Sequence, residues 1–249
     1  GESPCVVIAA PTPASCFYYA YEAAKIAIEH MTPVILLTDG YLANGSELWQ
    51  IPSSASLPEI VPPLVKDNDP DYSPYKRDPE KMNRFWAFPG QEGLRHRIGG
   101  LEKADITGEV SHDSVNHQVM VEHRENKVMK VANYVPEQEV FGDPESDLMV
   151  IGWGGTYGAL YTAVKEMQEE GKSICLVQFK HIKPLPRNTD DVLKKANKRI
   201  ICELNMGQFA MYLRSQFPQY QYLQFNKVQG LPFMIYELKS RFNELLEEK

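Results

Sequence analysis

Between residues 136 and 249, short apolar runs alternate with stretches of helical periodicity. The predicted strands are Asp147 to Ile151, Ile174 to Phe179, Arg199 to Cys202 and Tyr220 to Phe225. The predicted helices are Tyr157 to Glu169, Asp190 to Ala196, Gln208 to Ser215, and a last helix with Ile235, Leu238, Phe242 and Leu245 on one face. Continuous apolar strands are typical of a parallel sheet that helices cover on both faces. The pattern therefore predicts an α/β fold of that kind.

Residues 1–52 follow a strand, helix, strand pattern. The predicted strands are Cys5 to Ala10 and Val34 to Leu37, and the helix between them carries Phe17, Ala20, Tyr21, Ala24 and Ile28 as one apolar stripe. One such unit cannot bury both faces of its strands, so we expect further sheet from elsewhere. The chain also starts without Met and enters a strand pattern almost at once, so we expect it to be a fragment.

Residues 53–135 differ in composition from both flanking regions. Prolines are frequent from Pro58 to Pro89 and polar residues dominate, which predicts a long, mostly irregular connection. A polar helix is predicted from Ser114 to Ala132, with a stripe of Val115, Val119, Glu122 and Asn126. The sequence thus predicts three regions, 1–52, 53–135 and 136–249.

Net charge and cysteine spacing exclude several classes of function. The chain has a net charge of -7, which opposes binding to nucleic acid. No apolar run approaches the length of a membrane span, so no membrane association is predicted. Its four cysteines, Cys5, Cys16, Cys175 and Cys202, match no zinc or iron–sulfur spacing and are interpreted as free thiols of a cytoplasmic protein. The spacing of His112, His117 and His123 does not suit a helical metal site either, so no metal ligand is predicted.

The loop GWGGTYG, from Gly152 to Gly158, follows the first strand of the alternating region. A glycine-rich turn that opens a helix can bind a phosphate, so Gly152, Gly154, Gly155 and Thr156 are weak candidates for an anion nest. A dinucleotide fingerprint is incomplete, because Tyr157 replaces its third glycine. The favoured interpretation is a structural turn, in which at least one glycine has φ > 0 and Thr156 caps the helix.

Polar residues also follow the other strands, at the edge where ligands bind in parallel sheets. His181, Glu203, Asn205 and Lys227 come from three strand ends and can converge. Such a cluster is either an active site or a network that holds loops or a subunit interface, and we favour the network or interface. The candidates for that role are Asp39, Asn44, His181, Glu203, Asn205, Asn226 and Lys227.

Seven sequence strings resemble, in the same order, the α subunits of 2-oxoacid:ferredoxin oxidoreductases. They are TPASCFYYAYEAAKIA (Thr12 to Ala27), TPVILLTDGYLANGSELW (Thr32 to Trp49), FPGQEGLRHRIGGLEK (Phe88 to Lys103), VIGWGGTYGA (Val150 to Ala159), HIKPLPRN (His181 to Asn188), ELNMGQ (Glu203 to Gln208) and NKVQGLPF (Asn226 to Phe233). The long connection and the DGYLANGSE string look most like the 2-oxoglutarate branch.

The resemblance implies oxidative decarboxylation of a 2-oxoacid on thiamine diphosphate, with electrons passing to ferredoxin and the acyl group to coenzyme A. Residues 1–52 are then the end of a pyrimidine-binding domain, and residues 136–249 resemble the carboxy-terminal domain of transketolase. The β subunit is implied as the partner that supplies the diphosphate and Mg²⁺ site and an iron–sulfur cluster, and self-association of the α subunit is a further option.

The same resemblance implies that this segment binds no cofactor and has no catalytic residue, because the glutamate that acts on the aminopyrimidine lies upstream in the family. Thr38-Asp39-Gly40 with Asn68 mimics the metal signature of thiamine enzymes, but Thr38 replaces its first glycine. Two alternatives remain open. One is a subunit of another thiamine diphosphate enzyme, such as a transketolase or a 2-oxoacid dehydrogenase. The other is a module that binds an anion or nucleotide at the GWGGTYG loop.

Overall fold

A computed structural model describes residues 2–248 of the chain. The chain divides into two compact units. Unit 1 comprises Gly1–Val7, Ala20–Ile35 and Gln50–Val135. Unit 2 comprises Ile8–Tyr19, Leu36–Trp49 and Pro136–Lys249. The predicted division into domains of residues 1–52, 53–135 and 136–249 was drawn from composition and periodicity, and it stays a prediction.

Helices and strands alternate along most of the chain. In order they are β1 (Val6–Ala9), α1 (Ser15–His30), β2 (Val34–Leu37), α2 (Gly40–Asn44), α3 (Ser114–Lys130), β3 (Leu148–Trp153), α4 (Tyr157–Glu169), β4 (Ile174–Phe179), β5 (His181–Lys183), α5 (Thr189–Leu193), β6 (Lys198–Glu203), α6 (Gln208–Gln216), β7 (Leu223–Asn226) and α7 (Ile235–Glu247). Among the described residues, no helix is long and apolar enough to cross a membrane.

The core of unit 2 is a four-stranded sheet in the order β4-β3-β6-β7, with every pair parallel. Alternate residues of β3, one of the two inner strands, point to opposite faces of the sheet. Leu148 and Val150 pack in one apolar cluster with side chains of α4 and α7, whereas Met149 and Ile151 pack in a second with side chains of α5 and α6. The predicted parallel sheet with helices on both faces is therefore confirmed, and burial of both strand faces explains the unbroken apolar runs.

A second sheet has the order β2-β1-β5. Its third strand, β5, was not predicted, because it has only three residues and a single residue separates it from β4. The predicted strands Val34 to Leu37 and Ile174 to Phe179 have the bounds observed for β2 and β4. Other bounds differ by a few residues; the last predicted strand, Tyr220 to Phe225, is observed as Leu223–Asn226.

Unit 1 contains α3 and a long irregular segment held by short bridges, such as Leu64 with Trp86 and Tyr75 with Ile106. Helix α3 is confirmed, and Asp113 caps it by accepting from the Asn116 backbone N–H at 2.8 Å. The predicted apolar stripe of this helix was wrong. Val115 is exposed, and the helix buries Met120 and Val128 instead. A largely polar helix offers several weak stripes, so periodicity alone could not select the buried face.

Candidate functional site

Three of the predicted polar residues, Asp39, Glu203 and Asn205, lie around the carboxyl ends of β3 and β6 in unit 2. A cavity of about 310 Å³ lies there. Its lining comprises Leu37, Thr38, Asp39, Trp153, Gly154, Thr156, Leu204, Asn205 and Gln208. None of these lining side chains is cationic and one is a carboxylate, so the cavity offers little attraction to an anion.

The backbone N–H of Gly155, in the predicted anion nest, is bonded to a carboxylate of the chain itself. Gly155 N donates to Asp39 Oδ2 at 3.0 Å. The other carboxylate oxygen of Asp39 accepts from Leu42 N at 2.9 Å and so caps α2. A Cβ at position 155 would overlap Asp39 Oδ2, which explains why this position needs glycine. Asp39 thus stands where an external phosphate would have to bind.

Gly154 and Gly152 of the same loop have separate structural roles. Gly154 has φ = +57°, which confirms the prediction that at least one of these glycines lies in the left-handed region. Its carbonyl oxygen accepts from Gln178 Nε2 at 3.0 Å. A Cβ on Gly152 would overlap the Leu160 side chain, so glycine there permits close packing of α4 on β3. Gln178, a buried residue, was missed by the sequence analysis.

The predicted capping role of Thr156 was wrong. The Thr156 hydroxyl makes no capping hydrogen bond to α4; it donates to the Trp153 carbonyl oxygen at 2.8 Å. A 3₁₀ turn from Gly154 to Thr156 leads directly into the helix, so Thr156 already has helical backbone angles. A side-chain cap requires an extended residue before the helix, and Thr156 cannot supply one.

Glu203 is the centre of a second buried network. It is fully buried at the end of β6 and accepts four hydrogen bonds. Its Oε2 atom accepts from Trp153 Nε1 (3.1 Å), Asn205 Nδ2 (2.9 Å) and Phe209 N (2.9 Å), and its Oε1 atom accepts from Ala210 N (2.9 Å). Two of these donors are backbone N–H groups in the first turn of α6, where a carboxylate is favoured by unpaired donors and by the helix dipole.

Asn205 and Trp153 complete this network from its two sides. Asn205 Oδ1 accepts from Gly207 N at 2.7 Å and from Gln208 N at 3.0 Å, and so orders the turn before α6. Trp153 connects β3 to β6 through its indole N–H. The tryptophan was missed, although its position between two glycines of the loop was a signal that it could have a specific role.

The remaining candidates have other surroundings. Lys227 is buried, and its ammonium group donates to Glu237 Oε2 at 2.7 Å and to a backbone carbonyl. His181 is buried, and its ring packs edge-on against Tyr19. Asn226 lies at the end of β7, with a buried Oδ1 that accepts no hydrogen bond. Asn44 is exposed. An interface role for these residues stays a prediction.

The geometry makes a diphosphate site at the GWGGTYG loop unfavourable. Asp39 accepts from the Gly155 N–H, and Glu203 accepts from the Phe209 and Ala210 N–H groups in the first turn of α6. A phosphate would have to displace these carboxylates or lie beside them without a cation to balance the charge. The residues of this edge therefore do not fit the diphosphate of a cofactor. Their hydrogen bonds instead hold the surrounding loops in place.

The glycine series gives a first testable prediction. Gly155→Ala should lower the free energy of unfolding by about 2 kcal/mol or more, because the new methyl group displaces Asp39. Gly154→Ala should lower it by about 1 kcal/mol through the positive φ alone. Gly158→Ala is the matched control, because its Cβ would enter open space in the first turn of α4. Urea denaturation measures all three, and equal stability of the Gly155 and Gly158 variants would contradict the Asp39 contact.

The four cysteines give a second prediction, that the chain purified without oxygen contains no stoichiometric iron. All four are free thiols, and Cys175 and Cys202 are buried. Burial raises the pKa of Cys175 to about 11 and also raises the pKa of Cys202, which opposes the thiolate that iron requires. Within residues 2–248, no cluster of His, Cys, Asp or Glu could hold a metal ion. Elemental analysis is the measurement, and one or more iron atoms per chain would contradict the prediction.

Comparison with known proteins assigns the chain to a family. The sequence profile described as "Pyruvate flavodoxin/ferredoxin oxidoreductase, thiamine diP-bdg" matches residues 2–127, about half of the chain. The chain therefore belongs to the thiamine diphosphate-binding family of pyruvate flavodoxin/ferredoxin oxidoreductases.

Individual relatives agree with that assignment. The chain is 41% identical over 240 residues, or 96% of its length, to the 2-oxoglutarate oxidoreductase subunit KorA of Mycobacterium tuberculosis. It is 28% identical over 265 residues, or 99% of its length, to subunit alpha of 2-oxoacid:ferredoxin oxidoreductase 2 of Aeropyrum pernix. It spans only 36% and 39% of these two proteins.

A solved structure shows the same architecture. It is the 2-oxoglutarate:ferredoxin oxidoreductase of Magnetococcus marinus with 2-oxoglutarate, coenzyme A and succinyl-CoA bound. The TM-score is 0.89 at 25% identity, and the match covers 99% of this chain and 43% of that one. The α/β fold predicted from the sequence is therefore that of an oxidoreductase of this family.

Proposed function

We propose that the chain is part of the α subunit of a thiamine diphosphate-dependent 2-oxoglutarate:ferredoxin oxidoreductase. The reaction converts 2-oxoglutarate, coenzyme A and two oxidised ferredoxins to succinyl-CoA, carbon dioxide and two reduced ferredoxins, with release of a proton. The observation that carries the proposal is the 41% identity to a 2-oxoglutarate oxidoreductase subunit over nearly the whole chain. The high structural similarity to an enzyme whose structure contains 2-oxoglutarate supports the same substrate.

Within that subunit, residues 1–52 are proposed to end the pyrimidine-binding domain, and residues 136–249 to form the transketolase-like domain. The role proposed for the carboxyl edge of unit 2 is structural. Asp39 and Glu203 supply its negative charge internally and tie β2, β3 and β6 to the loops around them. This arrangement supports a segment that organises the subunit, and chemistry that takes place on groups supplied elsewhere in the enzyme.

The partners follow from the same proposal. A β subunit is proposed to supply the diphosphate and Mg²⁺ site and the iron–sulfur cluster, and ferredoxin to accept the electrons. The free thiols support a reducing, cytoplasmic location.

The test is a substrate panel on the assembled enzyme, isolated without oxygen with this chain as part of its α subunit. Reduction of a viologen dye should require coenzyme A and proceed with a kcat/KM for 2-oxoglutarate at least about tenfold above that for pyruvate, about 1.4 kcal/mol of discrimination. Removal of thiamine diphosphate should abolish the reaction. Equal or greater activity with pyruvate would contradict the substrate assignment, and activity without coenzyme A would contradict the reaction itself.

A further inference from the structure

Unit 1 contains a cavity of about 470 Å³, and half of the residues that line it are cationic. The lining cations are Arg77, Arg84, Lys103, Arg124 and Lys127. They come from the irregular segment and from α3. A concentration of positive charge is unexpected in a chain whose net charge is -7.

The nearby carboxylates balance only part of this charge. Glu102 Oε1 accepts from Arg124 at 3.2 Å, while its Oε2 atom pairs with His117. Asp105 Oδ1 lies 3.9 Å from Arg77 Nε, too far for a hydrogen bond, and that buried Nε atom has no acceptor. Two carboxylates therefore face five cations, and the balance of 5 − 2 leaves three positive charges in excess.

The other three cations have no carboxylate partner within the described part of the chain. The Arg84 guanidinium lies over the Tyr75 ring, 4.3 Å from its centroid, and makes no hydrogen bond or ion pair there. Lys127 Nζ donates to the Met31 carbonyl oxygen at 2.6 Å. Lys103 is almost completely buried, and its ammonium group donates only to backbone carbonyl oxygens. Lys103 is buried and Arg84 and Lys127 are half-buried. Cations removed from water without counter-charges are unfavourable, so this arrangement lacks balancing negative charge.

We propose that this cavity binds a small multivalent anion, one with either phosphate groups or several carboxylates. Guanidinium groups suit both kinds of group, because their planar N–H donors match two oxygens at once. The cavity is large enough for a small molecule with several charged groups. An occupant of this chemistry would supply the missing negative charge and the acceptors that Arg84 lacks. This inference is independent of the proposed enzymatic function.

The pKa of Lys127 predicts how anion binding in this cavity should depend on pH. Burial, with the nearby Arg77, Arg84 and Arg124, lowers the pKa of Lys127 to about 8. Guanidinium groups stay charged between pH 7 and pH 9, and Glu102 stays ionised. Lys127 therefore loses its proton across this range when the cavity is empty, and a bound anion would favour the protonated form. The affinity for an anion should consequently fall, by up to about tenfold, from pH 7 to pH 9.

The experiment is calorimetric titration of the full chain at low ionic strength. Inorganic pyrophosphate and citrate are the two multivalent probes, and acetate is the monovalent control. One site per chain is expected, with a dissociation constant of about 1 mM or lower for at least one multivalent probe, about −4 kcal/mol. Binding of pyrophosphate alone assigns phosphate groups, and binding of citrate alone assigns carboxylates. Citrate keeps its three charges from pH 7 to pH 9, so it also serves for the pH series.

Arg84→Gln is the decisive variant, because within residues 2–248 this guanidinium makes no hydrogen bond or ion pair and lies over the Tyr75 ring, so its loss should leave the fold intact. It should weaken binding at least tenfold. Arg97→Gln is the matched control, since Arg97 is exposed and does not line the cavity, and its affinity should stay within twofold of the parent chain. Absence of saturable binding by both multivalent probes, equal binding of acetate, or unchanged affinity in Arg84→Gln would each overturn the proposal.

Discussion

Glu203→Ala is expected to lower the free energy of unfolding of unit 2 by at least about 4 kcal/mol. The substitution removes the acceptor of four hydrogen bonds at a position with no solvent exposure. Each buried donor left without a partner costs about 1 to 3 kcal/mol, and two of the four are backbone N–H groups that cannot turn elsewhere. A loss of this size is a large part of the stability of a typical domain.

Urea denaturation followed by tryptophan fluorescence is a suitable measurement, because Trp153 donates directly to Glu203. Glu203→Gln keeps the shape but replaces one acceptor by an N–H donor, so a loss of about 2 to 3 kcal/mol is expected. Glu169→Ala is the control, since Glu169 is exposed on α4 and should change stability by less than about 0.5 kcal/mol. If Glu203→Ala cost no more than this control, the buried network would not hold α6 as described.

The second large effect is a loss of stability in mild acid that depends on His30. This residue is almost completely buried in unit 1, and its ring packs against Tyr134 with centroids 5.0 Å apart. Burial, with a further contribution from Lys81, lowers the pKa of His30 from 6.5 to about 4. The unfolded chain therefore takes up a proton near pH 6.5 that the folded chain takes up only near pH 4.

Above pH 6.5 the His30 ring is neutral in both the folded and the unfolded chain, so it does not change the free energy of unfolding. As the pH decreases from 6.5 towards 4, only the unfolded chain takes up the proton, and the free energy of unfolding falls. The free energy of unfolding should fall by about 2 kcal/mol between pH 7 and pH 5, and by about 3 kcal/mol once the pH is below both pKa values. His30→Phe keeps an aromatic ring against Tyr134 but cannot titrate.

Unfolding free energies at pH 7 and pH 5, measured for both chains by urea denaturation, isolate this group from the other titrating residues. The parent chain should lose about 2 kcal/mol more than the variant over this interval. Equal losses in the two chains would mean that His30 does not stay neutral in the folded protein.

The parallel sheet could be predicted because its signal is local. Each strand of unit 2 is a run of apolar residues that both faces of the sheet bury, and each following helix has a stripe that packs on those faces. Strand β5 gave no such signal, since it has three residues of mixed polarity. Helix α3 could be predicted as a helix, but its buried face could not, because that face depends on what packs against it.

The candidate site was predictable in its location but less so in its chemistry. Turn residues after apolar strands marked the correct edge of the sheet, including Asp39 and Glu203. The hydrogen-bond partners of these residues could not be predicted. Asp39 accepts from Gly155, a residue 116 positions further along the chain, and no local pattern predicts such a pairing. The sequence analysis consequently left the GWGGTYG loop open to an external anion, although the fold supplies an internal one.

The proposed enzyme oxidises a 2-oxoacid and passes the electrons singly to ferredoxin. The most direct test is the product stoichiometry of the assembled enzyme with 2-oxoglutarate, coenzyme A and either ferredoxin or NAD as acceptor. We expect two reduced ferredoxins for each succinyl-CoA and each carbon dioxide, with no NADH formed. Formation of NADH without ferredoxin reduction, or transfer of a two-carbon unit without oxidation, would contradict it.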